Sequence, residues 1–274
     1  MTVGDRGRAV VPRCPHGIVT GEFESTMPHR TAVLVLYVAL CCAVGDAVGG
    51  RGSGGLGVDI AHVGLNTSAF QCMKDTAGLD WAVFRAFHSF GSFDNSSLIN
   101  LDLSQKAGIH KTDVYMFPCR GKDAATQVKE LTEGLSNAMF STVWIDVEEN
   151  PSTGCSWNPT QENLTISAAN DNCKFLDTLV NAITDTGTAV GIYSSHYEWN
   201  RTVGLSCTVA SALPLWYSHY DRQNDCTDFQ QLPFGGWTHA FAKQFDDNVG
   251  GNLALNACIA TKVAADIDVL CPGE

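Results

Sequence analysis

Residues 142–151 read Thr142-Val-Trp-Ile-Asp146-Val-Glu148-Glu149-Asn-Pro151, a β-branched and aromatic run that turns acidic only at its end. Thr142–Ile145 is apolar on both faces, as a strand must be when one face meets a barrel lumen and the other a layer of helices. Asp146 and Glu148 share a face and stand roughly 6–7 Å apart, the rise of two strand residues, while Glu149 points the other way. The C-terminal rim of a parallel barrel is where such enzymes place their reacting groups. Paired carboxyls in a partly desolvated pocket push each other's pKa apart, leaving one protonated as an acid and the other ionised. The plainer alternative is a solvated strand end, and an Asp-x-Glu pair alone does not choose between them.

Working outward, short runs of strand composition alternate with longer segments of helical period. The strand-like runs are Leu56–Ala61, Trp81–Phe87, Asp113–Phe117, Thr142–Val147, Thr188–Tyr193, Leu213–Tyr217, Ala240–Phe245 and Ala265–Leu270. Helices are expected at Thr67–Ala77, Ser96–Ala107, Lys122–Met139 and Asn163–Thr186, the last carrying Phe175, Leu176, Leu179, Val180 and Ile183 on one face. The alternation predicts an α/β fold: a single-domain, modified TIM-like β/α barrel with a parallel sheet, regular early and irregular late. Asp59 interrupts the first strand and Asp266 and Asp268 the last. First and last strands of a closed barrel are neighbours, so acids from both are expected beside the central pair, with Asp266 and Asp268 undecided between them.

The chain is divided as 1–26, an extension without structure; 27–49, a secretory signal; 50–56, a flexible linker; and 57–274, the barrel domain. The signal is read from Met27-Pro-His-Arg, the uncharged run Thr31–Val44 and the small residues after it. That run of 14 residues is short of the roughly 20 that span a bilayer, so no membrane anchor is expected in the mature form. Removing the leader takes away three of the 11 cysteines and leaves an even set: Cys72, Cys119, Cys155, Cys173, Cys207, Cys226, Cys258 and Cys271. In an exported chain these suit up to four disulfides, for which the sequence-local pairs Cys155–Cys173 and Cys207–Cys226 are the first guess. Sequons at Asn66, Asn95, Asn163 and Asn200 agree with export.

Seventeen Lys and Arg against 29 Asp and Glu give a net charge of −12, the wrong sign for a nucleic-acid partner. No His-Glu-x-x-His, Gly-x-Ser-x-Gly or P-loop appears, the cysteines form no Cys-x-x-Cys pair, and His62, His88, His110, His196, His219 and His239 are scattered; neither metal nor cofactor is expected. A Gly-x-Gly-x-x-Gly at Gly50, Gly52 and Gly55 lacks the preceding strand that dinucleotide binding needs.

Seven blocks together resemble the family 25 glycoside hydrolases, the lysozymes of fungi, phage, nematodes and amoebae. They are Gly57-Val-Asp59-Ile, Phe84-Arg85-Ala86, Trp144-Ile-Asp146-Val-Glu148, Gly191-Ile-Tyr193-Ser194, Leu215-Trp216-Tyr217, Lys243-Gln244-Phe245 and Asp266-Ile-Asp268, in the family's order over residues 57–271. The closing block departs from the family's usual Val-Asp-Leu-Asn, which puts the role of Asp268 in doubt. The resemblance implies hydrolysis of the β-1,4 bond between N-acetylmuramic acid and N-acetylglucosamine in bacterial peptidoglycan by a secreted or lysosomal, phagosomal monomer. It implies Glu148 as general acid, Asp146 as the group that orients the substrate's 2-acetamido, and Asp59 and Asp266 as further acids of the site. Arg85, Tyr115, Tyr193, Trp216, Gln244 and Asp268 would contact substrate. Two alternatives remain: a chitinase-like barrel, whose longer signature has an acid where this chain has Trp144, and a secreted sugar-binding protein without turnover. From Gly57 onward 12 basic and 25 acidic residues leave 12 − 25 = −13, which together with an anionic bacterial wall predicts an acidic working pH.

Overall fold

The computed structural model describes residues 55–62, 64–160, 163–247, 253–259 and 265–272. The extension, the signal and most of the linker lie outside the described residues. Eight strands close a barrel in the order β1 (Leu56–Ile60), β9 (Ala265–Leu270), β8 (Ala242–Asp246), β7 (Leu215–Ser218), β6 (Ala189–Ser194), β5 (Thr142–Asp146), β4 (Lys111–Met116) and β2 (Leu79–His88), and β2 pairs back onto β1. A two-residue strand β3 (Ser92–Phe93) extends β2 as a hairpin. All eight expected strands are present, within two residues at every end.

The expected all-parallel sheet is corrected at one strand. β9 runs antiparallel to both β1 and β8, whereas the other seven barrel strands are parallel. A parallel neighbour requires the chain to cross to the far end of the barrel; an antiparallel one is entered from the end where the preceding strand stops. The reversal has a consequence for the site. It places the start of β9 at the rim where β1 and β5 finish, and pairs Asp59 with Asp266 directly across the ladder.

The helices form where side chains satisfy their first turns. Asn66, Asp123 and Thr165 accept from Ala69 N, Thr126 N and Ala168 N, capping α1 (Thr67–Cys72), α3 (Ala124–Gly134) and α4 (Ile166–Thr184). α2 (Ser96–Lys106) lies between β3 and β4. The expected helix Thr67–Ala77 is corrected in its second half, which is a π-helical turn, Met73–Ala77, closed by Gly78 in the left-handed region at φ 73°. Three short elements carry too little periodicity to be read from sequence: α5 (His196–Thr202), a 3₁₀ turn Thr227–Gln231, and α6 (Leu253–Cys258).

The disulfides are Cys72–Cys258, Cys119–Cys155, Cys173–Cys207 and Cys226–Cys271, so both sequence-local guesses are wrong. Loops at the same end of a β/α barrel become neighbours one strand–helix unit apart. Three of the bridges accordingly span 36, 34 and 45 residues rather than the shortest intervals available.

The main core fills the space between barrel and helices, with Phe70, Phe84, Leu176, Ile192 and Trp199 at or near zero exposure. A second cluster plugs the lumen: Trp81, Val83, Trp144, Tyr193, Trp216 and Ala242. The three indoles meet edge to face at centroid separations of 5.5–6.1 Å. Glycine is required opposite them, since a Cβ on Gly191 would strike the Trp144 ring and one on Gly57 would lie 2.6 Å from Trp81. The indoles thus fill the lumen below the strands' C-terminal rim.

Candidate active site

Above the indole plug lies a cavity of about 140 Å³ lined by Asp59, Tyr115, Asp146, Glu148, Tyr193, Trp216, Tyr220, Gln244 and Asp266. Eight of the ten residues singled out in the sequence therefore meet in one place. β1 and β9 supply Asp59 and Asp266, and β4, β6 and β7 supply Tyr115, Tyr193 and Trp216. β5 supplies Asp146 as its last residue. Glu148 follows two residues later, held because Val147 N donates to Tyr193 O at 2.9 Å and Ser194 Oγ donates to Val147 O at 2.7 Å.

Gln244 ties the acids to the phenols. Its Nε2 donates to Asp59 Oδ2 at 2.6 Å and to Asp266 Oδ2 at 3.3 Å, while its Oε1 accepts from Tyr193 OH at 2.5 Å and Tyr220 OH at 2.8 Å. All four hydrogen-bonding positions of the carboxamide are used, which fixes its orientation. Tyr220 is the lining residue that sequence reasoning missed. It lies two residues beyond β7, in no periodic segment, and the only available signal was a second tyrosine close after Trp216-Tyr217.

Two expected members stand outside the cavity lining. Arg85 pairs with Asp94 instead, Nε to Oδ2 at 2.9 Å, with only part of its side chain exposed. Asp268 lies one pleat below Asp266, fully buried, and its Oδ1 accepts from Trp216 Nε1 at 2.9 Å. The reversed direction of β9 resolves the ambiguity between the two acids, since the earlier residue is the one nearer the rim. The lumen plug contains a further acid unremarked in the sequence: Asp113 Oδ2 accepts from Trp81 Nε1 at 2.8 Å and Trp144 Nε1 at 3.0 Å, and its Oδ1 from Thr142 N at 2.9 Å.

The rim carboxyls are all shifted upward from the ordinary carboxylate range. Burial, then Glu198 and Asp266, push Glu148 up to about 7. Asp266 is pushed up to about 6 by burial, then Asp247 and Asp246. Burial likewise holds Asp146 well above the ordinary carboxylate range, reinforced by Glu148, Asp59 and Glu198, and does the same to Asp59, reinforced by Asp266. All four shift upward, first through burial and then through neighbouring acids, which favours their protonated forms. Asp146 Oδ1 is buried and meets no protein donor among the described residues. A donor brought by a ligand to that oxygen is what would favour ionisation there.

Among the described residues the group spaced to hold a metal is His219, Asp221 and Asp228. Lys243 Nζ already donates to Asp221 at 2.8 Å and Asp228 at 3.0 Å, so an ammonium supplies the positive charge at that point. No helix among the described residues is long and apolar enough to cross a membrane.

The family model for Lysozyme-like protein 1 matches residues 52–245. Probable GH family 25 lysozyme 2 of Dictyostelium discoideum is 35% identical over 195 residues, covering 70% of this chain and 83% of the relative. Lysozyme-like protein 5 of Caenorhabditis elegans is 32% identical over 200 residues, covering 71% and 85%. In three dimensions the family GH25 lysozyme from Aspergillus fumigatus superposes with a TM-score of 0.56 at 18% identity, over 80% of this chain and 94% of that one, a likeness of fold. The family model and these relatives show that the chain belongs to the family 25 glycoside hydrolases, the GH25 lysozymes.

Proposed function

We propose that the protein is a lysozyme that hydrolyses the β-1,4 bond between N-acetylmuramic acid and N-acetylglucosamine in peptidoglycan, with retention and with help from the substrate's own acetamido group. The observation that carries this is the placing of protonatable Glu148 beside Asp146, whose buried Oδ1 has no protein donor among the described residues, in one acidic cleft walled by aromatic rings. Glu148 protonates the glycosidic oxygen as that bond breaks, and the acetamido oxygen attacks the anomeric carbon to give an oxazolinium. Asp146 Oδ1 accepts the acetamido N–H and takes up the positive charge that develops. Water then opens the ring, returning its proton to Glu148. No carboxylate bonds to the sugar, so the separation rule for two-carboxylate glycosidases does not govern. Tyr115, Tyr193, Tyr220 and Trp216 offer ring faces and hydroxyls to the sugars, and Gln244 keeps Asp59 and Asp266 in place.

Four disulfides suit an oxidising compartment. We infer export as a monomer to the outside of the cell or to an acidic, lysosome-like vesicle, with cleavage near Gly45–Gly50. N-terminal sequencing of the secreted product tests this, and a product beginning at Met1 refutes it. For the activity, purified protein should clear a peptidoglycan suspension and release reducing muropeptides, while Glu148→Gln should do neither. Retained binding without clearing in both proteins would make the chain a sugar-binding protein.

A further inference from the structure

Glu198 belongs to α5, seven residues that no pattern in the sequence announced. Ser195 caps that helix, its Oγ accepting from Glu198 N at 3.1 Å, which fixes where the Glu198 side chain begins. The far end of the side chain reaches across to the segment after β5: Glu198 Oε2 accepts from Glu149 N at 2.8 Å. That amide belongs to the peptide bond that follows Glu148. One turn on, Arg201 Nε donates to Glu149 Oε1 at 2.5 Å, so α5 grips Glu149 by its main chain and its side chain together. Glu198 is half-buried there, an acid held close to a cluster of four others.

We propose that Glu198 is a positioning residue for the reaction, clamping from α5 the main chain directly after Glu148 and adding a negative charge behind the proton donor. The inference rests on Glu148 being that donor. The groups that face Glu148 are Asp146 on β5, Asp59 on β1, Asp266 on β9, Tyr115 on β4, Tyr193 on β6, Tyr220 after β7 and Glu198 on α5, with the Glu149–Arg201 pair beside them. Glu198 and Asp266, like Asp146 and Asp59, repel a charge on Glu148. Of these four acids, Glu198 alone is not among the residues lining the cavity.

Charge and reach are separable by substitution. In Glu198→Gln the amide oxygen still accepts from Glu149 N while the charge is gone. Each pH–rate profile is normalised to its own acid plateau, at fixed ionic strength. The alkaline limb of Glu198→Gln should fall by about one pH unit, the low end of what one close like charge contributes, and the normalised rate at pH 8 should drop by close to tenfold. Glu198→Asp keeps the charge on a shorter arm: its limb should stay near the wild-type position while its plateau kcat falls. A merely structural residue would lower the plateaus and leave every limb where it was, and that result in both variants overturns the proposal. Failure of the underlying reading looks different, because Glu148→Gln would then still turn over.

Discussion

The lumen plug and the barrel rim are built from the same residue type and do opposite things with it. In the plug, Asp113 collects two indole N–H groups and a backbone N–H, and Asp268 collects one indole. At the rim, Asp59, Asp146, Glu148 and Asp266 face one another, share one carboxamide between two of them, and leave an oxygen of Asp146 without a protein donor among the described residues. Both sets are removed from water. Three donors hold Asp113 as a structural acid, whereas Asp268, with one, favours its neutral form as the rim acids do. What sets the rim acids apart is that they line the cavity a substrate can enter.

The largest effect expected from this contrast is at Glu148. Glu148→Gln keeps the shape and removes the proton, so turnover should fall by roughly 10²–10⁴-fold, with the fold intact by circular dichroism. Asp146→Asn should also cripple turnover, since an amide offers the acetamido N–H no charge. Activity within a few-fold of wild type in either variant would mean that the rim acids are as structural as those below.

The plug should respond in the other currency. Asp113→Ala leaves two buried indole N–H groups and Thr142 N unpartnered, and each such loss typically costs ~1–3 kcal/mol. A loss of roughly 3–9 kcal/mol in denaturant unfolding is expected from the three together, with lysis per folded molecule largely retained. Loss of turnover without loss of stability would erase the distinction between the two layers.

A third test uses pH on stability. Glu148 holds its proton up to about 7 in the folded cleft, against an ordinary 4.5. A carboxyl that binds its proton more tightly folded than unfolded carries no penalty below its unfolded pKa. It weakens the fold as pH rises from 4.5 toward about 7, and the penalty is complete above that. Wild type should therefore lose of the order of 1–3 kcal/mol more than Glu148→Gln between pH 4 and pH 8, as read by urea unfolding at each pH. A variant that loses as much as the wild type would show that Glu148 titrates like an exposed group. Turnover should decline over the same window, because the protonated form is the active one.

The layering also explains which features were legible in advance. Strands announced themselves because a barrel strand is buried on both faces, and Thr142–Ile145 reads as apolar throughout before Asp146 and Glu148 change its character. Chain direction did not. Nothing in Ala265–Leu270 says whether the strand is entered from the rim or from below, so the choice between Asp266 and Asp268 waited for the antiparallel register. Tyr220, Glu198 and the disulfide partners share that difficulty, since each owes its position to a loop or short helix folding back onto a neighbouring unit. Asp113 was hidden differently: beside Lys111 and Thr112 it looks like an ordinary strand start, and only the two indoles from other strands reveal what it does.

The smallest expected effect is at Asp268. It has no exposed surface, one indole donor on Oδ1, and an Oδ2 without a partner among the described residues. Burial, reinforced by Asp59 and Asp266, pushes its pKa well above the ordinary range, which favours the neutral acid over the carboxylate. An asparagine has nearly the same shape as that neutral acid. In Asp268→Asn the side-chain oxygen can still accept from Trp216 Nε1, and the amide nitrogen takes the place of the hydroxyl. Stability should change by less than about 1 kcal/mol and lysis by no more than a few-fold. Asp266→Asn, one pleat higher, removes an acid from the cleft and a strong acceptor from Gln244, and its cost to turnover should be visibly larger. The two variants differ only in depth along one strand. Equal losses would place Asp268 in the reactive layer after all, and a large loss confined to Asp268→Asn would reverse the assignment.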